Sequence, residues 1–309
     1  MAAQQLASPD PSGGVRTTVI VPAYQAWATL PQVLEALAPQ VQGPDREVIV
    51  VESSADGRAA QLADQFPWAT VIAVPERILP GRARNLGIRL AGGRLVAFID
   101  ADAIPSEHWL DELERSMNDA VDAVTSPVLN GTPWHPVGTS GYLLEFVEWL
   151  PGRRRPPRHA ATCNLLVKKL YLEEVGGFAE DVFPGEDTIL TYPIAKNGRL
   201  GYAPRANVRH LNRTSLSSFL GHQTRLGASF VVLCDRTDFP HAGVTRLWSI
   251  PFAPALRLVS LGLSVRRSPR ESVQAVVYLP VVLLGLLFWT RGLATARLRA
   301  TRSFLKNSR

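Results

Sequence analysis

Short runs of apolar, mostly β-branched residues recur along the first hundred positions and alternate with segments of helical spacing. The runs are Thr17 to Val21, Glu47 to Val51, Thr70 to Val74 and Leu95 to Ile99. Between them, apolar residues recur every three or four positions over Leu30 to Leu37 and Ala59 to Phe66. Unbroken runs of this length are typical of strands buried on both faces of a parallel sheet. Their alternation with helices predicts an α/β fold built from βαβ units.

The fourth apolar run ends abruptly in Asp100-Ala101-Asp102. Ligands of open α/β sheets bind beyond the carboxyl ends of the strands, which is where these two carboxylates are expected. Two carboxylates two residues apart repel each other unless a cation lies between them, and hard oxygen ligands favour Mg²⁺ or Mn²⁺. The alternative is that they cap a helix expected to begin near Pro105.

Composition and cysteine content narrow the class of protein. The chain has 309 residues, 46% of them hydrophobic, as expected for one large globular domain or a domain with an appendage. Cys163 and Cys234 form neither a disulfide framework nor a metal-binding spacing, which favours a reducing compartment. Residues 1–14 are polar, so we expect a disordered tail and no secretory signal.

Positive charge is concentrated at the C-terminus. From Arg246 onward, ten arginines, one lysine and one glutamate give a formal charge of +10. The remainder carries 22 basic and 26 acidic residues, a formal charge of −4. Clustered arginines beside apolar segments favour an anionic membrane surface over nucleic acid, for which no motif is present.

Two long apolar segments accompany this charge. Ser272 to Thr290 contains no charged residue and is long enough to cross a hydrocarbon core of about 30 Å. Leu247 to Val265 is similar but has Arg257 at its middle, which costs roughly 2.5 kcal/mol or more inside a bilayer. A single span would export the basic tail, so we expect a hairpin or two surface-lying helices. The alternative is a soluble helical pair that packs on the domain.

Four segments, taken together and in order, resemble a known family. The first strand is not followed by a GxGxxG fingerprint, and a Walker lysine loop is also missing. Instead, TTVIVPAYQAWATLPQVLEAL, EVIVVESSADG, GRARNLGIRLAGGRLVAFIDADAIP and GGFAEDVFPGEDTIL follow the order of family 2 glycosyltransferases of the GT-A fold. The resemblance covers roughly residues 15–231. It implies a Rossmann-like, mostly parallel sheet flanked by helices over residues 15–242, followed by an apolar helical, membrane-associated appendage over 243–309.

The resemblance also implies a metal site. Asp102 would bind Mn²⁺ or Mg²⁺, and Asp100 would contact the ribose or the metal, with Ala101 between them at the donor. His210 follows at the place where many such enzymes have a metal-binding histidine, although a lone histidine is more often structural.

A nucleotide site is implied at the ends of the first two strands. Pro22, Ala23 and Tyr24 would lie along the base, and Glu52 would hold the base or the ribose. The chain departs from the family here, because Glu52 is followed by serine where two consecutive aspartates are usual, and Gln25 replaces a common asparagine.

Three further residues are expected at the donor. Arg84 and Asn85 lie ahead of the strand that leads to Asp100, and Arg84 would contact a phosphate of the donor. Asn164 would hydrogen-bond the sugar, or else serve a turn. Cys163 beside it is expected to be a buried filler.

The segment Pro184-Gly185-Glu186-Asp187 matches the second acidic motif of the family. In inverting members the aspartate takes the proton of the acceptor hydroxyl, so Asp187 would be the general base and Glu186 would orient the acceptor. Both residues also suit a helix N-terminus. His222 to Leu226 matches the motif of processive polysaccharide synthases only in part, which favours transfer of a single sugar.

We therefore expect a metal-dependent, inverting transferase that moves one sugar from a nucleotide-diphosphate donor to a lipid-linked or membrane-presented acceptor. Its catalytic domain would face the cytoplasm. The alternatives are a nucleotidyltransferase of related sheet type, which would need a glycine-rich basic loop after the first strand, and a non-catalytic membrane scaffold.

Overall fold

The computed structural model describes residues 14–240 and 242–307, so most of the predicted N-terminal tail lies outside the described residues. The strands are β1 (Thr17–Ala23), β2 (Arg46–Glu52), β3 (Thr70–Ala73), β4 (Leu95–Phe98), β5 (Ala103–Pro105), β6 (Ala123–Thr125), β7 (Val128–Asn130), β8 (Leu165–Lys168), β9 (Leu200–Tyr202) and β10 (Val208–His210). The helices are α1 (Leu30–Leu37), α2 (Ala59–Gln65), α3 (Pro80–Leu90), α4 (Trp109–Ser116), α5 (Pro136–Glu145), α6 (Lys169–Val175), α7 (Glu186–Lys196), α8 (Leu216–Arg236), α9 (Ala253–Val265), α10 (Pro269–Val277) and α11 (Leu279–Asn307).

A seven-stranded sheet in the order β3-β2-β1-β4-β8-β6-β9 is the largest feature of the fold. Its first four members in this order are parallel, β8 is antiparallel to β4 and β6, and β9 is again parallel to β6. The carboxyl ends of β1, β2, β4, β6 and β9 therefore all lie at one edge, called here the carboxyl edge. A second sheet has the order β5-β10-β7. The predicted α/β fold with a mostly parallel sheet is confirmed.

The four predicted strands and two predicted helices of the first hundred residues are present. The expectation of a helix beginning near Pro105 is wrong, because Pro105 ends strand β5 and the next helix begins at Trp109. Trp109 is completely buried, and its indole Nε1 donates to Asn164 Oδ1 at 2.8 Å. The buried Trp109 side chain and its hydrogen bond thus lie at the N-terminus of α4.

The described residues form two compact units. The first contains the residues up to Pro127, Arg153–Asp181 and Leu190–Arg209, and it includes the seven-stranded sheet. The second contains Val128–Gly152, Val182–Ile189 and the residues from His210 onward, including α5 and α8 to α11. The predicted domain boundary at residue 242 stays a prediction.

Within the second unit, α8 and α11 pack backbone against backbone. A Cβ atom at Gly227 of α8 would collide with the carbonyl oxygen of Trp289, and one at Gly292 of α11 would collide with that of Thr224. Such close approach needs glycine on both helices. One face of α11 is consequently buried, with Val282, Leu286, Trp289 and Leu293 each at most 4% exposed.

This packing revises the expected membrane segments. The apolar run Ser272–Thr290 is divided between α10 and α11, because the α-helix α10 ends at Val277 and α11 begins at Leu279. Among the described residues, α11 over Leu279–Thr301 is long and apolar enough to cross a membrane by length and composition. Arg257 lies inside the unit and not in an apolar exterior, since its Nη2 donates to Leu144 O at 2.8 Å and its guanidinium lies 4.5 Å from the Trp289 ring centre.

A carboxylate that is 13% exposed joins α5 to α8 in the same unit. Glu145 Oε2 lies 3.2 Å from His222 Nε2, and its Oε1 accepts from Gln223 Nε2 at 3.0 Å. Burial alone would raise the pKa of Glu145, but the charge and hydrogen bond of His222 and the charge of Arg213 outweigh it and lower that pKa to about 2. Glu145 is therefore ionised at neutral pH.

We expect Gly292→Ala to lower the free energy of unfolding by about 2 kcal/mol, because the added methyl must push α11 away from Thr224. Urea unfolding measures this change. Gly262→Ala is the control, since a Cβ at this exposed position in α9 meets nothing within 4 Å. It should be neutral or stabilise the helix by up to about 1 kcal/mol. Equal effects of the two substitutions would contradict the packing described.

Candidate active site

Two aspartates stand in a tight turn beyond the end of β4. The backbone amide of Ala103 donates to Asp100 O at 3.0 Å, which closes the turn that contains Asp102. The ligand atoms of Asp100, Asp102 and His210 all lie within 4.8 Å of one another. Two carboxylates and an imidazole form a donor set suited to Mn²⁺ or Mg²⁺, so these residues fit the expected cation.

A buried arginine partly neutralises this acidic turn. Arg84 Nη2 lies 2.7 Å from Asp100 Oδ1, and the Arg84 side chain is 3% exposed. Helix α3 brings the guanidinium to the carboxyl edge because it packs closely on β1, where a Cβ at Gly87 would lie 2.7 Å from Ile20 Cγ2. Arg84 thus orients Asp100, whereas its predicted direct contact with a donor phosphate stays a prediction.

Hydrogen bonds determine which nitrogen of His210 carries the ring hydrogen. Asn212 Nδ2 donates to His210 O at 3.1 Å, and it also donates to Asn130 Oδ1 and Thr132 Oγ1 at 2.9 Å. A backbone carbonyl only accepts, so the amide nitrogen must face it and Asn212 Oδ1 must face the imidazole. This oxygen lies 3.2 Å from His210 Nδ1, which therefore carries the hydrogen. The lone pair remains on Nε2, as metal ligation requires.

Asn212 was missed in the sequence because a lone asparagine two residues after a histidine has no distinguishing pattern. Its role depends on Asn130, whose Oδ1 also accepts from the backbone nitrogen of Thr132 at 2.9 Å. Asn130 precedes Asn212 by 82 residues in the chain. Only the folded chain brings these amides together.

The loops that follow β1 and β2 are joined at the expected nucleotide site. The backbone nitrogen of Gln25 donates to Ser54 Oγ at 2.6 Å, and Glu52 Oε1 accepts from the backbone nitrogen of Ser54 at 2.7 Å. Tyr24 is 38% exposed, and the guanidinium of Arg77 lies 4.6 Å from its ring centre. Gln25 has a φ of +51°, a conformation that asparagine tolerates better than most residues. This explains why asparagine is common at the corresponding place in the family.

Two of the expected donor residues are engaged within the fold. Asn85 Nδ2 donates to Phe178 O and Glu180 Oε1, both at 2.9 Å. Asn164 is completely buried, and its Nδ2 donates to Pro127 O at 2.8 Å and Ala206 O at 3.0 Å. These contacts give both side chains a positioning role, and contact with a donor stays a prediction. Pro22, Ala23 and Ala101 lie at the carboxyl edge, where they were expected.

The second acidic motif forms the start of α7. Glu186 and Asp187 are the first two residues of this helix, so they complement its positive N-terminal dipole. Asp187 Oδ1 accepts from the backbone nitrogen of Thr188 at 2.7 Å, and Glu186 is 3% exposed. The preceding Gly185 has a φ of +111°, which only glycine adopts readily.

Comparison with a family model covers the segment that contains Asp100 and Asp102, whereas Glu186 and Asp187 lie outside the residues that this model matches. Residues 18–162 match the model of Glycosyl transferase family 2. This match spans 145 of the 309 residues, nearly half of the chain. It is 28% identical over 251 residues to the pre-mycofactocin glycosyltransferase of Mycobacterium tuberculosis, a match that covers 75% of this chain and 51% of that protein. The chain thus spans about half the length of this relative.

Two solved structures show the same GT-A fold. The mannosyltransferase PcManGT of Pyrobaculum calidifontis, in complex with GDP-Man and Mn²⁺, has a TM-score of 0.58 at 21% identity, covering 94% of this chain and 89% of that one. Glucosyl-3-phosphoglycerate synthase of Mycobacterium tuberculosis, with Mn²⁺, UDP and its product, has a TM-score of 0.52 at 20% identity, covering 75% and 83%. The GT-A fold of the chain is thereby established.

We expect Asn212→Leu to lower Mn²⁺ affinity by about tenfold or more, because the imidazole loses the acceptor that orients it. Free Mn²⁺ measured by electron paramagnetic resonance, with a nucleoside diphosphate present, gives the affinity. Thr139→Val is the control, since Thr139 Oγ1 contacts Asn130 Nδ2 at the far side of the same network. In a His210→Ala background, Asn212→Leu should cause no further loss. An additive loss would mean that Asn212 supports the fold and not the imidazole.

Proposed function

We propose that the protein transfers a single sugar from a nucleotide-diphosphate donor to a membrane-presented or lipid-linked acceptor, with inversion at the anomeric carbon. The observation that carries this proposal is the convergence of Asp100, Asp102 and His210 within 4.8 Å at the end of a central strand. A bound Mn²⁺ or Mg²⁺ would stabilise the negative charge that develops on the leaving diphosphate. Solved structures that hold GDP-Man with Mn²⁺ and UDP with Mn²⁺ support the choice of donor and ion.

Different residues of the chain would bind the nucleoside and the diphosphate of the donor. Tyr24, next to Pro22 and Ala23, offers a half-exposed ring for stacking on the base, and Glu52 lies beside the loop that would receive the ribose. Arg84 keeps Asp100 oriented, so that Asp102 and His210 complete the ligand set next to the diphosphate. The nucleotide would therefore extend along the carboxyl edge from β2 towards β4.

Asp187 is the proposed general base. As the acceptor oxygen attacks the anomeric carbon, the bond to the diphosphate oxygen breaks and Asp187 accepts the hydroxyl proton. Its Oδ1 is held by the Thr188 amide at 2.7 Å, which fixes the carboxylate. Glu186 would orient the acceptor from the same helix start.

Asp187→Asn keeps the size and polarity of the side chain but cannot accept the proton. We expect kcat to fall about 10²-fold or more, with little change in nucleotide-sugar affinity. Steady-state transfer assays and calorimetric titration of the donor measure the two quantities. Near wild-type turnover would reduce Asp187 to a helix-start residue and make Glu186 the next candidate.

Exposed apolar side chains in the second unit support the membrane part of the proposal. Phe252, Leu256, Val259 and Leu263 follow one stripe along α9 and are 55 to 62% exposed. On α11, Leu283 and Leu287 are 42% and 62% exposed. Exposed arginines at 266, 267 and 270 lie between α9 and the body of α10. Apolar stripes next to arginines are typical of helices that lie in the interface of an anionic membrane.

We propose that these helices lie on the membrane and do not cross it, because the opposite face of α11 is buried against α8. A spanning α11 would have to expose this packed face to lipid. The family 2 domain would then face the cytoplasm, where nucleotide-sugars are available, next to an acceptor held in the membrane.

The double variant Leu256→Ser/Val259→Ser should reduce sedimentation with vesicles of phosphatidylcholine and 30% phosphatidylglycerol by about tenfold, since two apolar side chains lose their burial in lipid. Leu90→Ser/Leu170→Ser is the matched control, because these residues of α3 and α6 are 49% and 66% exposed. The wild-type chain should remain bound in 1 M salt. Release by salt alone would indicate a purely electrostatic contact, and absence of wild-type binding would favour an acceptor in solution.

A further inference from the structure

A run of arginines occupies an exposed loop, whose residues from Arg153 onward belong to the first unit. The loop reads Pro151-Gly152-Arg153-Arg154-Arg155-Pro156-Pro157-Arg158, and all four of its arginines are exposed. From Trp149 to Leu172 the chain contains no acidic residue. Among the residues that the structure describes, Arg153, Arg154 and Arg155 have no carboxylate within ion-pair distance. Adjacent like charges repel, so a bound anion would stabilise this loop.

Sheet topology places the loop at the carboxyl edge. Strand β9 is parallel to β6, and β6 and β4 are both antiparallel to β8, so β9 and β4 end on the same side. Burial raises the pKa of Tyr202, the last residue of β9, and the Arg153 charge acts in the opposite direction, so the guanidinium lies near this phenol. The buried phenolic oxygen has no hydrogen-bond partner among the described residues. The basic loop therefore begins at the edge that carries Asp100.

The other end of the loop is fastened to α7. The backbone nitrogen of Ala160 donates to Thr191 Oγ1 at 2.9 Å, and this hydroxyl donates back to Ala160 O at 3.3 Å. Thr191 follows Asp187 by four residues, so the two side chains lie on the same face of the helix. The loop thus ends one helical turn from the proposed general base.

Its position separates the loop from the donor diphosphate. In the sheet order β4-β8-β6-β9, Tyr202 is three strands away from the end of β4, or about 14 Å at the usual strand spacing. The arginine nearest to the aspartate turn is Arg84, which contacts Asp100 directly. An acceptor is expected to lie near the proposed general base and away from the donor diphosphate.

We propose that the loop Gly152–Arg158 binds a phosphate group on the acceptor, with Arg153, Arg154 and Arg155 as its ligands. Arginine pairs with phosphate oxygens through two parallel N–H bonds, which suits a phosphate monoester or a phosphate-linked lipid. This inference rests on the proposed function and specifies the chemical class of its acceptor.

Binding of hexyl phosphate, followed by ³¹P line broadening in EDTA, tests the proposal. The uncharged counterpart 1-hexanol is added as a competitor and should leave the broadening unchanged. Arg154→Ala/Arg155→Ala should weaken hexyl phosphate binding about tenfold or more, because charged hydrogen bonds are lost. Arg154→Lys/Arg155→Lys should retain part of it. The matched control Arg89→Ala/Lys168→Ala removes two charges at the opposite edge, where Lys168 pairs with the first residue of β4. It should bind as the wild type does.

Two further measurements separate the possible failures. Vesicles of phosphatidylcholine and 30% phosphatidylglycerol should still bind the loop variant, since the apolar helices are unchanged. If vesicle binding is lost and hexyl phosphate binding is kept, the arginines serve lipid headgroups and the acceptor assignment is wrong. Nucleoside diphosphate binding with Mn²⁺ should be equal in all variants. Its absence in the wild type would refute the proposed function, whereas its presence with unchanged hexyl phosphate binding would refute the loop assignment alone.

Discussion

Negative charge concentrated in the turn after β4 has to be compensated, and several features of the first unit follow from this requirement. Asp100 and Asp102 bring two carboxylates together, and their repulsion is strong where solvent is partly excluded. Arg84 compensates one of them from a buried position. Arg84 can reach Asp100 because Gly87, which has no side chain, allows α3 to pack closely on β1. A bound cation would neutralise the remaining negative charge of the turn. Neutralisation of the turn and binding of the donor would therefore be coupled.

The orientation of His210, a candidate metal ligand, is determined by neighbouring residues that are not themselves candidate ligands. Its tautomer is set by Asn212, and the orientation of Asn212 is set in turn by Asn130 and by a backbone carbonyl. Each amide in this chain has its donor and acceptor ends assigned by a neighbour that can only donate or only accept. A histidine held in this way does not need to reorganise when a metal arrives, which lowers the entropic cost of binding.

The strands and helices of the first hundred residues could be predicted because their burial pattern is local. Long-range partners could not. Arg257 was expected to be an unfavourable charge within an apolar segment. Its guanidinium instead donates to the backbone carbonyl of Leu144, 113 residues away. Pro105 was expected to start a helix, but it lies in a strand of the sheet that contains β7 and β10. The arginines at 153 to 155 give no signal in the net charge of a long segment, because acidic residues elsewhere in the segment cancel their charge. Acidic motifs could be recognised, whereas the amides that support them carry no pattern.

The contact of α8 with α11 has a consequence for how the second unit would meet a surface. Two helices that touch through carbonyl oxygens and glycine Cα atoms share one register, since sliding or rotating either helix brings a side chain into the contact. The exposed leucines of α11 therefore keep a constant direction relative to α8, and thermal motion cannot reorient them independently. Helices α8 and α11 therefore form one rigid body and not two independent segments. On the membrane surface proposed above, this rigidity would hold both helices at one orientation to the bilayer.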